Sequence, residues 1–160
     1  MQEPEPPAPR PVPDLPALPP GPVVLLLHED DLHPESLPLA GLQVQRVIGL
    51  CCPAARSPLG ASPIVQRFVA DALEDGLNRA AQHFGVPVER VALADLPDVS
   101  RHAAVVMPEA PVGWVADALR PYGVAPLRRA WDAACWPLAG RGFFPFAQHI
   151  PRLCAELIPG

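Results

Sequence analysis

Apolar residues along this chain come as short unbroken runs near its start and at helical spacing through its middle. The run Pro22-Val-Val-Leu-Leu-Leu27 breaks at once into His28-Glu29-Asp30-Asp31. A run of that length, rich in Val and Leu, reads as a strand buried on both faces that ends in a polar loop. Val44 to Leu50 repeats the pattern and stops at Cys51-Cys52-Pro53. From Ser62 to Gly85 the period changes. Val65, Phe68, Val69, Ala72, Leu73, Leu77, Ala80, Ala81 and Phe84 fall on one helical face, and charged or amide residues fill the other. Ser62 as cap, Pro63 at the first position, and Gly85 with Pro87 as the stop frame a helix of about six turns, with Phe68 on its buried stripe.

Val88 to Leu93 and Ala103 to Met107 read as a third and a fourth strand, and Val112 to Leu119 as a second helix. Val124 to Leu127 reads as a fifth strand, which Pro126 confines to an edge or end position, and Gln148 to Ile158 as a closing helix, interrupted or started near Pro151. Strands separated by helices imply right-handed crossovers and a parallel sheet covered on both sides. The expected fold is therefore α/β, a three-layer open parallel sheet of about five strands, forming one domain over residues 22–160.

Composition narrows the chemistry. All 12 basic residues are Arg; without Lys there is neither Schiff-base chemistry nor a P-loop lysine. A net charge of -5 argues against strong direct binding to nucleic acid, which needs clustered positive charge. Cys51, Cys52, Cys135 and Cys154 contain no CxxC, and together with His149 they match no zinc spacing. No cationic leader or bilayer-length apolar stretch is present, which leads to the expectation of a cytoplasmic protein with no membrane association. Ten of the 25 prolines lie within residues 1–22, so residues 1–21 are expected to form a disordered, Pro-rich tail. Its two PxxP matches, Pro13 to Pro16 and Pro16 to Pro19, have the form of SH3 ligands.

Two places carry candidate chemistry. If the first strand is central and the sheet reverses between it and the fourth, a crevice lies between the His28–Asp31 loop and Met107-Pro108-Glu109, nominating His28, Glu29, Asp31, Met107 and Glu109 as ligand-binding residues. His28 is either a hydrogen-bonding, pH-sensitive group or a solvated loop histidine, and the adjacent acids are either a divalent-cation site or a solvated turn. The second place is Trp131, Trp136, Phe143, Phe144 and Phe146, five of the chain's nine aromatic residues within a segment whose glycines and prolines argue against regular structure. These rings can stack a planar ligand, anchor a partner protein, or close the core. Ser57, Ser62 and Ser100 have no GxSxG context, so a binding module is expected ahead of an independent enzyme.

The order of strand, Glu29-Asp-Asp-Leu32 loop, strand, long helix ending in Phe84-Gly85-Val86-Pro87-Val88, and strand-helix-strand is similar to the amino-terminal α/β domain of the DNA photolyase and cryptochrome family. Asp31-Leu32 sits where that family's Arg-Asp-Leu-Arg loop has Asp-Leu, Pro38-Leu39 lies near its Pro-Ala-Leu, and Trp131-Asp132 through Phe146 resembles a motif of short photolyase-related proteins. In place of that loop's basic residues stand His28, Glu29 and Asp30. The resemblance covers about residues 22–155 and implies a Rossmann-like, nucleotide-binding type of sheet. It implies an accessory domain, binding a partner protein or a planar or nucleotide-like ligand, such as a pterin or deazaflavin chromophore, without DNA-repair catalysis. Since the family's helical flavin domain is not found in these 160 residues, no FAD is expected. The alternative expectation is a small nucleotide-dependent enzyme using the crevice near His28.

Overall fold

The computed structural model describes residues 12–157. The chain falls into two compact units, one spanning Leu15–Leu127 and the other containing Arg128 and the helices that follow, where the sequence reads one domain over 22–160. The first unit holds five strands, β1 (Pro22–His28), β2 (Gln43–Leu50), β3 (Val88–Arg90), β4 (Ala104–Pro108) and β5 (Ala125–Leu127). They form one sheet in the order β3-β2-β1-β4-β5, parallel throughout.

β1 shows why its sequence has no polar alternation. Val23, Leu25 and Leu27 enter a core shared with Leu73, Leu77 and Ala80 of α1 (Pro63–Phe84). Val24 and Leu26 enter a second core with Leu96 of α2 (Leu96–His102) and Val115 and Leu119 of α3 (Trp114–Leu119). Helices thus cover both faces of an open parallel sheet, and the central strand is apolar on each. Gly49 of β2 is needed at the α1 face: a Cβ there would lie 2.9 Å from Leu77 Cδ1 and 3.1 Å from Leu73 Cδ1. β5 is an edge strand, where Pro126 leaves no central ladder incomplete.

The link from β1 to β2 contains only a 3-10 turn, Pro34–Ser36, and is held on α1 by side chains. Leu32 packs over Gly76, where a Cβ would come within 3.3 Å of it. Arg79 binds both oxygens of Glu35 at 2.8 Å, the Leu32 carbonyl at 2.6 Å and Asp75 at 2.9 Å.

Four expectations are corrected. β3 ends at Arg90 rather than at 93, and α2 follows it unforeseen, with Pro97 in its first turn, where no amide donor is needed, and Arg101 and His102 at its carboxyl end. Phe68 is not buried: it is 72% exposed, as are Ile64 at 82% and Val65 at 43%. α1 is about 33 Å long, and its buried residues Leu73, Gly76, Leu77 and Ala80 lie in its second half, so the start of the apolar stripe overshoots the core. The second helix begins at Trp114 rather than Val112, behind Gly113 at φ 152°. The segment from Trp131 to Phe146 is mostly helical, with α4 (Ala130–Cys135), a 3-10 stretch Trp136–Arg141 and α5 (Phe143–Ala147). Pro137 and Pro145 sit in first turns, which tolerate proline. The closing helix is α6 (Ile150–Leu157); Ile158, its expected end, lies outside the described residues.

Residues 1–11 of the expected tail also lie outside the described residues, while residues 12–21 carry no helix or strand. Pro16, Ala17 and Pro19 line a hollow of about 390 Å³ with the amino ends of β4 and β5. No helix among the described residues is long and apolar enough to cross a membrane.

Candidate functional site

From β1 the chain steps outward through β2 and β3 on one side, then returns to build β4 and β5 on the other, so the β1–β4 boundary is the topological switch point of the sheet. Its carboxyl end carries the residues the sequence nominates. β1 stays paired with β2 as far as His28 opposite Leu50, but with β4 only as far as Leu25 opposite Val106. Pro108 has no N–H to extend that ladder. Its carbonyl instead accepts a hydrogen bond from His28 Nε2 at 2.9 Å.

His28 is completely buried. Because a carbonyl only accepts, the bond to Pro108 fixes the proton of the neutral ring on Nε2 and leaves Nδ1 as a lone pair. Nδ1 is buried and has no hydrogen-bond partner. Burial pushes the imidazole below its ordinary pKa, opposed by the bond to Pro108 and by the carboxylates of Asp31, Asp30 and Glu29.

The turn after His28 is closed by the Asp31 amide donating to the His28 carbonyl at 2.9 Å, while Asp31 Oδ1 accepts from the His33 amide at 3.2 Å. Glu29 joins three elements. Its Oε2 accepts from the Cys52 amide beyond β2 at 2.9 Å, and its Oε1 accepts from the Trp114 indole N–H at the start of α3 at 3.2 Å. Beside it, burial first and then Glu29 push the Cys51 thiol up in pKa, so it stays protonated. Met107 is buried in the α2 and α3 core, and the Glu109 amide donates to the Leu127 carbonyl at 2.9 Å. His28, Glu29, Asp31 and Glu109 therefore gather at the carboxyl edge of the sheet, while the Met107 side chain points into the core. Trp114 and Cys52 are not among the residues the sequence nominates, and Pro108 enters only as part of the Met107-Pro108-Glu109 wall; Trp114 falls inside the helix expected from Val112 to Leu119, where nothing sets it apart.

The arrangement fits some ligands poorly. A phosphate cradle needs a helix N-terminus after the first strand; here β1 leads into a turn bearing three acids and a link without an α-helix. Among the described residues no three His, Cys, Asp or Glu side chains are placed to hold a metal ion.

The second nominated cluster lies within the carboxyl-terminal unit. Phe143 and Phe144 are 68% and 82% exposed and meet edge to face with centroids 5.7 Å apart; Trp131 is 45% exposed. Trp136 is half-buried, with the Arg128 guanidinium 5.4 Å from its ring centroid, and Arg129 stands 5.5 Å from that of Trp131. Trp131 and Cys135 of α4, Phe146 of α5, and Ile150, Leu153, Cys154 and Leu157 of α6 line an apolar groove of about 540 Å³. Compared with protein-family models, with curated proteins and with solved structures, the chain gives no match.

Proposed function

We propose that this chain is a photolyase-related α/β accessory module that binds a partner protein and has no DNA-repair catalysis of its own. One observation carries the reading: Phe143, Phe144 and Trp131 stand in solvent in the same small unit as an apolar groove. Large exposed aromatics beside apolar concavities are what interface anchors look like before a partner covers them. The Rossmann-like, photolyase amino-terminal sheet type is retained in the proposal, and its nucleotide-binding use is not. The carboxyl edge is acidic, β1 is not followed by the helix N-terminus that a phosphate cradle after the first strand uses, and His28 occupies the place where the strands part. The same features weigh against a nucleotide-dependent enzyme.

The test is site-specific cross-linking in cells of the source. A photo-reactive amino acid replacing Phe144 should capture one protein, in a yield reduced by Trp131→Ala and by excess untagged chain. A probe at the exposed Gln82 should not capture it. Identical adducts at both positions would sink the proposal, as would a near-ultraviolet or blue absorbance band in the purified chain or thermal stabilisation by ATP, which would identify a small-ligand site instead.

A further inference from the structure

The carboxyl half of the β1–β4 seam is closed by a side chain where a parallel ladder would otherwise run. Pairing stops at Leu25 and Val106, Pro108 offers no N–H across the gap, and the imidazole of His28 spans it to the Pro108 carbonyl at 2.9 Å. With Nε2 committed, Nδ1 is the one ring atom able to take up a proton, and it is buried with no partner. We infer that His28 is a proton-operated clasp: neutral, it holds the carboxyl ends of β1 and β4 together, and protonated, it releases Pro108 and opens the switch point of the sheet.

The surroundings supply both halves of the device. A charged ring is disfavoured in the closed position, because there it is out of water and its added proton has no acceptor. The bond to Pro108 and the charges of Asp31, Asp30 and Glu29 favour the imidazolium in place, but burial outweighs them and the closed ring stays neutral. On β4 the next residue after Pro108 is Glu109, a further acid. From β2 the neighbouring titratable group is the Cys51 thiol, held protonated and influenced by Arg90 of β3; α3 contributes Trp114, whose N–H is engaged by Glu29. Carboxylates thus predominate around the clasp, and the cost of burying the charge is what a protonated ring escapes by reaching water.

The sign follows from linkage. Burial keeps the closed ring below the ordinary 6.5 of an imidazole, and a ring that opens to water is relieved of that penalty. Acid therefore favours the open state, with the opening equilibrium rising up to about tenfold for each pH unit below that value. Above it the clasp is shut.

Amide hydrogen exchange on the full chain, read from about pH 7.5 to about pH 5.5 and corrected for intrinsic rates, tests this. Protection at residues 26–28 and at Met107 and Glu109 should fall by up to about tenfold per unit below pH 6.5, while Leu73 and Leu77 in α1 keep theirs. His28→Gln, which retains a donor for the Pro108 carbonyl but does not titrate, should remove the pH dependence. Equal loss in His28→Gln, or loss in step throughout α1, would overturn the inference. Should that variant not fold, a long-range proton–nitrogen spectrum of the wild-type imidazoles decides: His28 protonated on Nε2 near neutrality and gaining a second proton as the seam amides lose protection supports the clasp. A proton on Nδ1, or titration with the seam still protected, refutes it.

Discussion

Removing the carboxylate of Glu29 is the perturbation whose size the geometry states best. Oε2 holds the Cys52 amide at 2.9 Å and Oε1 the Trp114 indole at 3.2 Å, tying β1, the loop after β2, and α3. A hydrogen bond to a charged group contributes about 1.5–3 kcal/mol when well buried. Both Glu29 and Trp114 are half-buried, and 3.2 Å is at the long end of good geometry, so the Glu29–Trp114 bond should contribute about 1 kcal/mol. Glu29→Ala, which also strips the Cys52 amide of its acceptor, should cost about 2–3 kcal/mol, and Trp114→Phe about 1 kcal/mol. In urea unfolding followed by far-ultraviolet circular dichroism, the double variant should be more stable than the sum of the singles implies by about 1 kcal/mol. A coupling below about 0.3 kcal/mol, the usual level for independent sites, would mean that the bond does not hold α3 to the turn.

Further expectations concern the core and the helix link. Leu25→Ala should cost about 2–5 kcal/mol, since the side chain is fully buried in the core beneath α1; equilibrium unfolding measures it. Phe68→Ala should cost less than about 1 kcal/mol by the same assay, because a ring 72% exposed has little contact to lose. Gly49→Ala should cost about 1–3 kcal/mol, as its Cβ would press on Leu77 and Leu73. Burial raises the Glu35 carboxyl, but a hydrogen bond to its own backbone and the bonds and charge of Arg79 outweigh it, leaving the group below its ordinary 4.5. Its contribution is therefore full above pH 4.5 and lost as pH falls through the lowered value, so the melting-temperature gap between wild type and Glu35→Gln should close in acid.

What could be read from the sequence follows the range of the interaction involved. β1 and β2 could be read because burial on both faces removes every polar residue from the run, and α1 because its cap, stop and stripe all act within one helix. Periodicity assigned Phe68 a face but carries no information on how far the sheet reaches beneath the helix. α2, α4 and α5 are too short to repeat a period and could not be recognised from it. The position of His28 at a strand end can be read, yet its partner is the Pro108 carbonyl, 80 residues away in sequence. Glu29 likewise appeared as one acid among three, and only tertiary contacts with Cys52 and Trp114 distinguish it from Asp30.

The strand order also sets a timetable for synthesis. β1 gains β2 soon after it is made, but its other neighbour, β4, begins only at Ala104. At about 5–20 residues per second, the stretch between them, residues 29–103, takes about 4–15 s to emerge. For most of that interval Val24 and Leu26 lack α2, which emerges only just before β4, and for all of it they lack α3, while one edge of an apolar central strand stands unpaired. The nascent chain is therefore most vulnerable to aggregation in its middle, and chaperone dependence should be greatest for chains stalled between Arg90 and Ala104.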